Sequence, residues 1–280
     1  MIAKAPCIPC LINQGINAVK RLNLDDDKQK EIALELVRYL SSLQTIDKSP
    51  AYYAYYIQKL VKELTGQEDP FYEIKKLSNA KAYSILKNLK EKDLDLREVL
   101  ILSGAGNAVD FAIKDSVNLD DILNIGVGRF EYESFVEEFL KARSILIVGD
   151  NAGEIAFDTL LVEKLVKAGK EVVYAVKSYP ILNDALMEDA IEVGMDKLCR
   201  VIENGSDKVG TFLEDCSEEF RKTFYESDIV ISKGQANYET LSSSNRKVFF
   251  LLTVKCKVIE GEAKSPQGKV AFFVGGMYDG

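Results

Sequence analysis

The residues of this chain best suited to chemistry fall in four short polar strings. They are Gly149-Asp150-Asn151-Ala152-Gly153-Glu154, then Lys177 through Asn183-Asp184, then Asn204-Gly205-Ser206-Asp207, then Lys233-Gly234-Gln235-Ala236-Asn237-Tyr238-Glu239. In the first, Asp150 ends an apolar run and Asn151 sets a neutral amide oxygen beside it, a donor pair suited to a hard cation. Gly153 lets backbone approach a ligand, and a helix beginning near Glu154 aims free N–H groups and a positive dipole end at an anion. Asp and Asn are also preferred caps, so a plain strand-to-helix turn capped by Asp150 is the lesser, bland reading of the same pair. Asp184 has the same two readings: a second carboxylate for the cation, or the cap of a helix over ALMEDAIEVG. Lys233 follows an apolar run and precedes a glycine, where an ammonium can neutralise phosphoryl oxygens as charge develops. Its bland reading is a solvated surface lysine. Lys177 is a weaker second cation at an equivalent place.

The chain contains no histidine in 280 residues. That removes Ser-His-Asp and Cys-His nucleophile systems, histidine bases and mixed histidine metal sites. Oxygen ligands then select magnesium, manganese or calcium-like ions. A Walker A loop and the GxGxxG dinucleotide pattern are both absent. An aspartyl-phosphate enzyme of the haloacid dehalogenase kind would want a second Asp two residues after the first, where this chain has Ala152. Cys7-Ile8-Pro9-Cys10 supplies half of a tetrahedral zinc site unless Cys256 or another cysteine joins it. As a redox pair it would lie in a leading tail rather than after a strand. Structural or metal-binding use of Cys7 and Cys10 is therefore expected over catalysis.

The elements that must position these strings divide at about residue 143. Before it, Ile32, Leu36, Leu40 and Leu43 recur at helical spacing across 27–43. Ser49-Pro50 and Asp69-Pro70 each put a capping side chain before a proline, which predicts helices starting near 50 and 70, with Gly66 ending the first. Further helices are predicted over 96–103, 107–114 and 131–142. After residue 143, short apolar runs at 144–148, 171–176, 199–202, 228–232, 248–253 and 270–274 alternate with helical stretches at 154–168, 184–193, 209–225 and 238–243. The tract 257–269 reads as a polar loop. This rhythm predicts an α/β fold: a mainly helical N-terminal domain (1–142) beside a Rossmann-like domain with a mostly parallel sheet (143–280). In such sheets ligands bind beyond the carboxyl ends of the strands, which is where all four polar strings fall.

Composition sets the outer limits. Hydrophobic residues make up 47% and charged residues 29%, a globular profile. The formal charge of −8 argues against a nucleic-acid partner, which needs a basic face. No run approaches the length of a membrane span, and the start lacks the apolar segment of a secretory signal, so a cytoplasmic location is expected. Five cysteines, an odd number, favour free thiols over a disulfide framework.

The CIPC start, Thr65-Gly66 with Asp69-Pro70, Gly106-Asn107-Ala108-Val109-Asp110-Phe111, GDNAGE, Asn183-Asp184 and KGQANYE occur in this order over nearly the whole chain. Together they resemble the damage-control phosphatase family, long catalogued as a domain of unknown function (DUF89). The CxxC start resembles its archaeal and bacterial branch. The resemblance implies hydrolysis of phosphate esters of small metabolites, including sugar phosphates and damaged phosphometabolites. It implies a divalent metal (manganese, magnesium, nickel or cobalt) on Asp150, Asn151 and Asp184, with Lys233 on the phosphate. Gly106, Asn107 and Asp110 match a further motif expected to face the cleft, although a tight interhelical turn explains them nearly as well. On this reading metal-bound water attacks phosphorus, Asp150 or Glu154 takes the proton, and N–H groups near Gly153 and Glu154 hold phosphoryl oxygens. Two rivals stand beside it: an adenosylmethionine-dependent carboxyl methyltransferase, an activity also attached to this family, and a non-catalytic metabolite- or nucleotide-binding module. Which small phosphorylated metabolite is the partner, and the oligomeric state, are left open.

Overall fold

Apolar runs bounded by polar turns become buried strands because both faces of a parallel sheet are covered. In the computed structural model, residues 1–89, 92–106, 122 and 124–276 are described. Seven strands form one sheet: β1 (Val127–Phe130), β2 (Ser144–Val148), β3 (Glu171–Val176), β4 (Arg200–Glu203), β5 (Ile229–Lys233), β6 (Val248–Thr253) and β7 (Val270–Gly275). Their spatial order is β1-β7-β6-β5-β2-β3-β4. Strands β4, β3, β2, β5 and β6 run parallel, while β7 is antiparallel to β6 and parallel to β1. The order turns back on itself between β2 and β5, the position where open α/β sheets open a crevice.

Eleven helices are described: α1 (Cys7–Lys20), α2 (Asp26–Ser42), α3 (Pro50–Thr65), α4 (Tyr72–Leu89), α5 (Leu96–Gly106), α6 (Tyr132–Phe139), α7 (Glu154–Lys167), α8 (Met187–Val193), α9 (Glu218–Glu226), α10 (Gln235–Leu241) and α11 (Lys257–Ala263). Strand parity sorts them into layers. Ile145, Ile147, Ile229 and Ile231 face α4, α5 and α7, packing with Leu86, Val99 and Ile155. Leu146, Val148 and Val230 face α9, α10 and α11, packing with Phe220, Leu241 and Ile259. Helices α1–α3 bury a separate core, in which Leu11, Leu36 and Ile57 meet Ile181 and Val209 from loops of the sheet. Gly15 permits the close crossing of α1, since a Cβ there would lie 2.9 Å from Ile57 Cγ2.

The capping signals act as expected. Ser49 Oγ accepts from Tyr52 N at 3.2 Å, and Gly66 ends α3 at φ 69°. Asp69 Oδ1 accepts from Phe71 N at 3.0 Å, just ahead of α4.

Four readings need correction. The helix expected over 184–193 begins only at Met187, because Ala185 N donates to Asp150 O at 2.8 Å and holds that segment extended. The helix expected over 209–225 begins at Glu218, capped by Ser217 Oγ; before it the chain turns at Gly210 (φ 72°) and through a short 3-10 turn at Leu213–Asp215. The polar tract 257–269 contains α11, whose Val258, Ile259 and Ala263 are buried. Cys7 and Cys10 lie in the opening of α1 rather than in a leading tail.

Strand β1 and the sheet-packed helices α4–α6 precede residue 143, so the sheet layers draw on chain from both sides of that boundary. The helix expected over 107–114 falls outside the described residues. Among the described residues, no helix is long and apolar enough to cross a membrane.

Candidate active site

Backbone bonds, not side chains, join the first two polar strings. Ala185 N donates to Asp150 O, Ala152 N donates to Asn183 O at 2.9 Å, and Asn151 and Asp184 form an antiparallel bridge. Asp150, Asn151 and Asp184 thereby reach the wall of one cleft. From the other side, β5 turns into α10 through Gly234 at φ 77°, where a Cβ would overlap the Asp150 carboxylate. Asn237 Nδ2 locks that turn by donating to Gly149 O at 2.9 Å and Lys233 O at 2.8 Å.

The orientation of Asn151 follows from its neighbours. Its Nδ2 donates to Asp150 Oδ2 at 2.8 Å and Glu154 Oε2 at 3.4 Å. An ionised carboxylate only accepts, so the amide nitrogen faces Asp150 and the carbonyl oxygen is turned away from it. Asp150, Asp184 and Glu154 are 7%, 5% and 1% exposed. Burial pushes Glu154 up to about 7, Lys233 pulling against it while Asp150 and Asp158 add to the rise. Burial also pushes Asp184 up to about 6, with Lys177 opposing. Crowded, buried oxygen donors that resist ionisation are relieved by a cation, so the donor set fits a hard divalent ion. Among the described residues, no group of three or more thiols and carboxylates converges to hold a metal by itself. The third donor of this set is an amide.

The structure gives the two lysines other work than phosphate contact. Lys233 is fully buried; its Nζ lies 2.6 Å from Glu154 Oε1 and 2.6 Å from Asp158 Oδ1, and donates to Ser103 O at 3.1 Å. The ammonium is thus ion-paired with two buried carboxylates and hydrogen-bonded to Asp158 and the Ser103 carbonyl. Burial opposes its charge, yet Asp158 and Glu154 outweigh it and hold Lys233 above the usual lysine value. Lys177 Nζ donates to Lys208 O and Gly210 O and stands 3.8 Å from Asp184 Oδ2; burial lowers its pKa. The N–H of Gly153 is likewise occupied, donating to Asn79 Oδ1 at 2.7 Å. Glu154 lies behind Asn151 and is absent from the cleft wall. Gly106 packs against Phe157, where a Cβ would meet the ring at 3.1 Å, a close approach between α5 and α7 rather than a ligand contact. Asn107 and Asp110 lie outside the described residues.

The cleft, about 510 Å³, also exposes groups that the sequence reading did not single out. Lys255, two residues beyond β6, is an exposed cation on its wall and acts on Asp184. Glu239 of α10 accepts from Ala51 N at 2.9 Å and Gln235 Nε2 at 3.3 Å; burial pushes it up to about 7. Arg21, at the end of α1, closes the list. A lysine just past a strand end was the available signal for Lys255; the string KGQANYE already contained Glu239.

Cys7, Cys10 and Cys256 share the cleft wall, and all are free thiols. Burial raises the pKa of Cys7 and of Cys10, with Cys256 and Glu239 adding to the effect. Neither is poised as an attacking thiolate.

Comparison with known proteins agrees with this architecture. Residues 3–270 match the damage-control phosphatase ARMT1-like domain. Damage-control phosphatase PH1575 of Pyrococcus horikoshii is 32% identical over 280 residues, covering 94% of each chain. The uncharacterized protein MJ0202 of Methanocaldococcus jannaschii is 32% identical over 274 residues, covering 91% of this chain and 90% of its own. The crystal structure of the DUF89 family protein PH1575 superposes with a TM-score of 0.91 over 98% of this chain and 99% of that one. Sheet order, cleft and motifs thus converge with the match along the chain: it belongs to the damage-control phosphatase ARMT1-like family.

Proposed function

We propose that the protein is a metal-dependent phosphatase that hydrolyses phosphate esters of small metabolites. The observation that carries this reading is the convergence of Asp150, the outward carbonyl of Asn151 and Asp184 on one cleft wall. A divalent cation held by these three would supply positive charge to phosphoryl oxygens and lower the pKa of bound water.

The protein's own groups do the rest. Lys255 offers the cleft-facing charge for the phosphate. Lys233 and Asp158 fix Glu154, which with Asp150 fixes the Asn151 amide. Of the two carboxyls expected to take the proton, only Asp150 lines the cleft; Glu239, beside it on the wall, titrates near neutrality and suits proton transfer at that pH. The relatives named damage-control phosphatases support the reaction class.

The test is phosphate release from an aryl phosphate by chelator-treated protein, with single divalent ions added back. Turnover should appear only with metal, and Asp150→Ala should lower it by about 10³-fold or more. Metal-independent turnover, or an Asp150→Ala variant as active as the wild type, would sink the proposal.

A further inference from the structure

The cleft carries a charge at its far end that the reaction centre does not use. Arg21 sits at the C-terminal end of α1 and lines the same cleft as Asp150, Asn151 and Asp184. Its guanidinium carbon stands 5.1 Å above the centroid of the Phe71 ring, and Phe71 is itself buried, so the guanidinium rests on a fixed platform. Arg21 Nε is buried with no hydrogen-bond partner among the described residues. A guanidinium resting over a ring, with no ion pair to a carboxylate among the described residues, is prepared for a planar or tetrahedral anion that accepts two bonds at once.

The same helix face continues the line. Gln14 and Asn17 precede Arg21 at spacings of three and four and also line the cleft. Gln14 Oε1 is a second buried polar atom without a partner among the described residues. Arg21 and Gln14 thus line the cleft while each keeps a buried polar atom without a partner among the described residues, and such an atom calls for a group that completes its bonding.

Arg21 is remote from the proton-handling end. The first turn of α1 lies beside Glu239 and Cys256, which act on Cys10. At 1.5 Å per residue, Arg21 stands about 16 Å further along the axis than Cys10. The cations that act most on Asp184 are Lys177, Lys75 and Lys255, not Arg21. A cleft of about 510 Å³ has room for far more than a phosphate group.

We infer that Arg21 on its Phe71 platform is a second anion subsite, and that the substrate is a phosphate ester ending in another anionic group, a carboxylate or a second phosphate. Gln14 and Asn17 would bond the polar groups between the two ends. The substrate class rests on the phosphatase reading above; the subsite does not.

The test uses the full chain loaded with metal and a series of phosphomonoesters matched in length, ending in a carboxylate, a phosphate or a methyl group. In the wild type, kcat/KM should favour the anionic ends by about tenfold or more, and Arg21→Gln should bring that ratio close to one. Arg21→Lys, which keeps the charge but loses the fork, should retain part of the preference. A larger gain for the carboxylate or for the phosphate end identifies which anion the subsite takes. Calorimetry with the corresponding non-hydrolysable phosphonates provides a readout free of turnover, and thermal unfolding confirms that each variant is folded. If no ester is cleaved, yet anion-ended phosphonates bind about tenfold tighter and Arg21→Gln abolishes the difference, the subsite stands and the phosphatase reading falls. If esters are cleaved without end-group preference, or Arg21→Gln leaves the preference intact or weakens all probes equally, the subsite is overturned.

Discussion

Two lysines follow neighbouring strands of the sheet and end in opposite environments. Lys233 is the last residue of β5 and still pairs in the sheet, opposite Leu251. Parity puts it on the face of Ile229 and Ile231, so its side chain runs into the layer beneath α7 and α5 and is neutralised there by Glu154 and Asp158. Lys255 lies two residues past the end of β6, where the chain has left the sheet, and reaches the cleft as an exposed cation. Position at a strand end therefore does not decide what a lysine does. What decides it is whether the strand still constrains its direction. One lysine is a buried, ion-paired strut behind the cleft wall; the other is an exposed charge on that wall.

The contrast is most sharply broken at Lys233. Lys233→Met leaves Glu154 and Asp158 buried without their cation, and breaking such a pair costs about 3–5 kcal/mol. Urea unfolding should show a loss of that size, together with lost turnover because Asn151 loses its anchor. A variant within about 1 kcal/mol of wild type would mean the network is not structural.

A second consequence concerns the cleft wall itself. Glu239 holds its proton up to about pH 7 when folded, against an ordinary value of 4.5. The folded state thus binds more protons than the unfolded state between those values, so its contribution is full below pH 4.5 and fades as pH rises through about 7. The contribution amounts to about 3 kcal/mol at most, and Glu239→Gln should shrink the fall in unfolding free energy between pH 5 and 8 by up to that amount. Identical pH profiles for variant and wild type would exclude the protonated carboxyl.

The smallest energetic change is expected at Lys255. Lys255→Gln should lower kcat/KM for a phosphate ester about 10- to 100-fold while altering unfolding free energy by less than about 0.5 kcal/mol. A variant that unfolds more readily but turns over normally would reverse the assignment of the two lysines.

Much of this arrangement was legible in the residues. Buried parallel strands read as apolar runs, so 144–148 and 171–176 were located to the residue. Asp150, Asn151 and Asp184 stood out because several polar strings fell together at strand ends, although each residue alone also read as a helix cap, and the structure brings all three to one wall. The direction of Lys233 did not show, because both faces of β5 are apolar and alternation carries no signal there. Helix α1 was hidden by Pro9 and Gly15 in its sequence, although Pro9 lies in the first turn, where its missing N–H costs nothing. Arg21 went unseen with it, since a residue on a cleft-lining helix acquires meaning only once the helix is placed. Helix α11 was obscured by its charge, its buried stripe being only three residues.

The place of β7 bears on how the chain comes to be folded in the cell. Among the described residues it follows the other six strands in the chain, yet it lies between β6 and β1, the first of them. Until residues 270–275 leave the ribosome, β1 has no partner and β6 presents an open edge, the kind of surface on which nascent chains aggregate. The described sheet is therefore sealed by residues 270–275. Premature termination shortly before residue 270 would release a chain with an intact Asp150–Asp184 wall and an unfinished sheet, a species for chaperones and proteases rather than a slightly shortened enzyme.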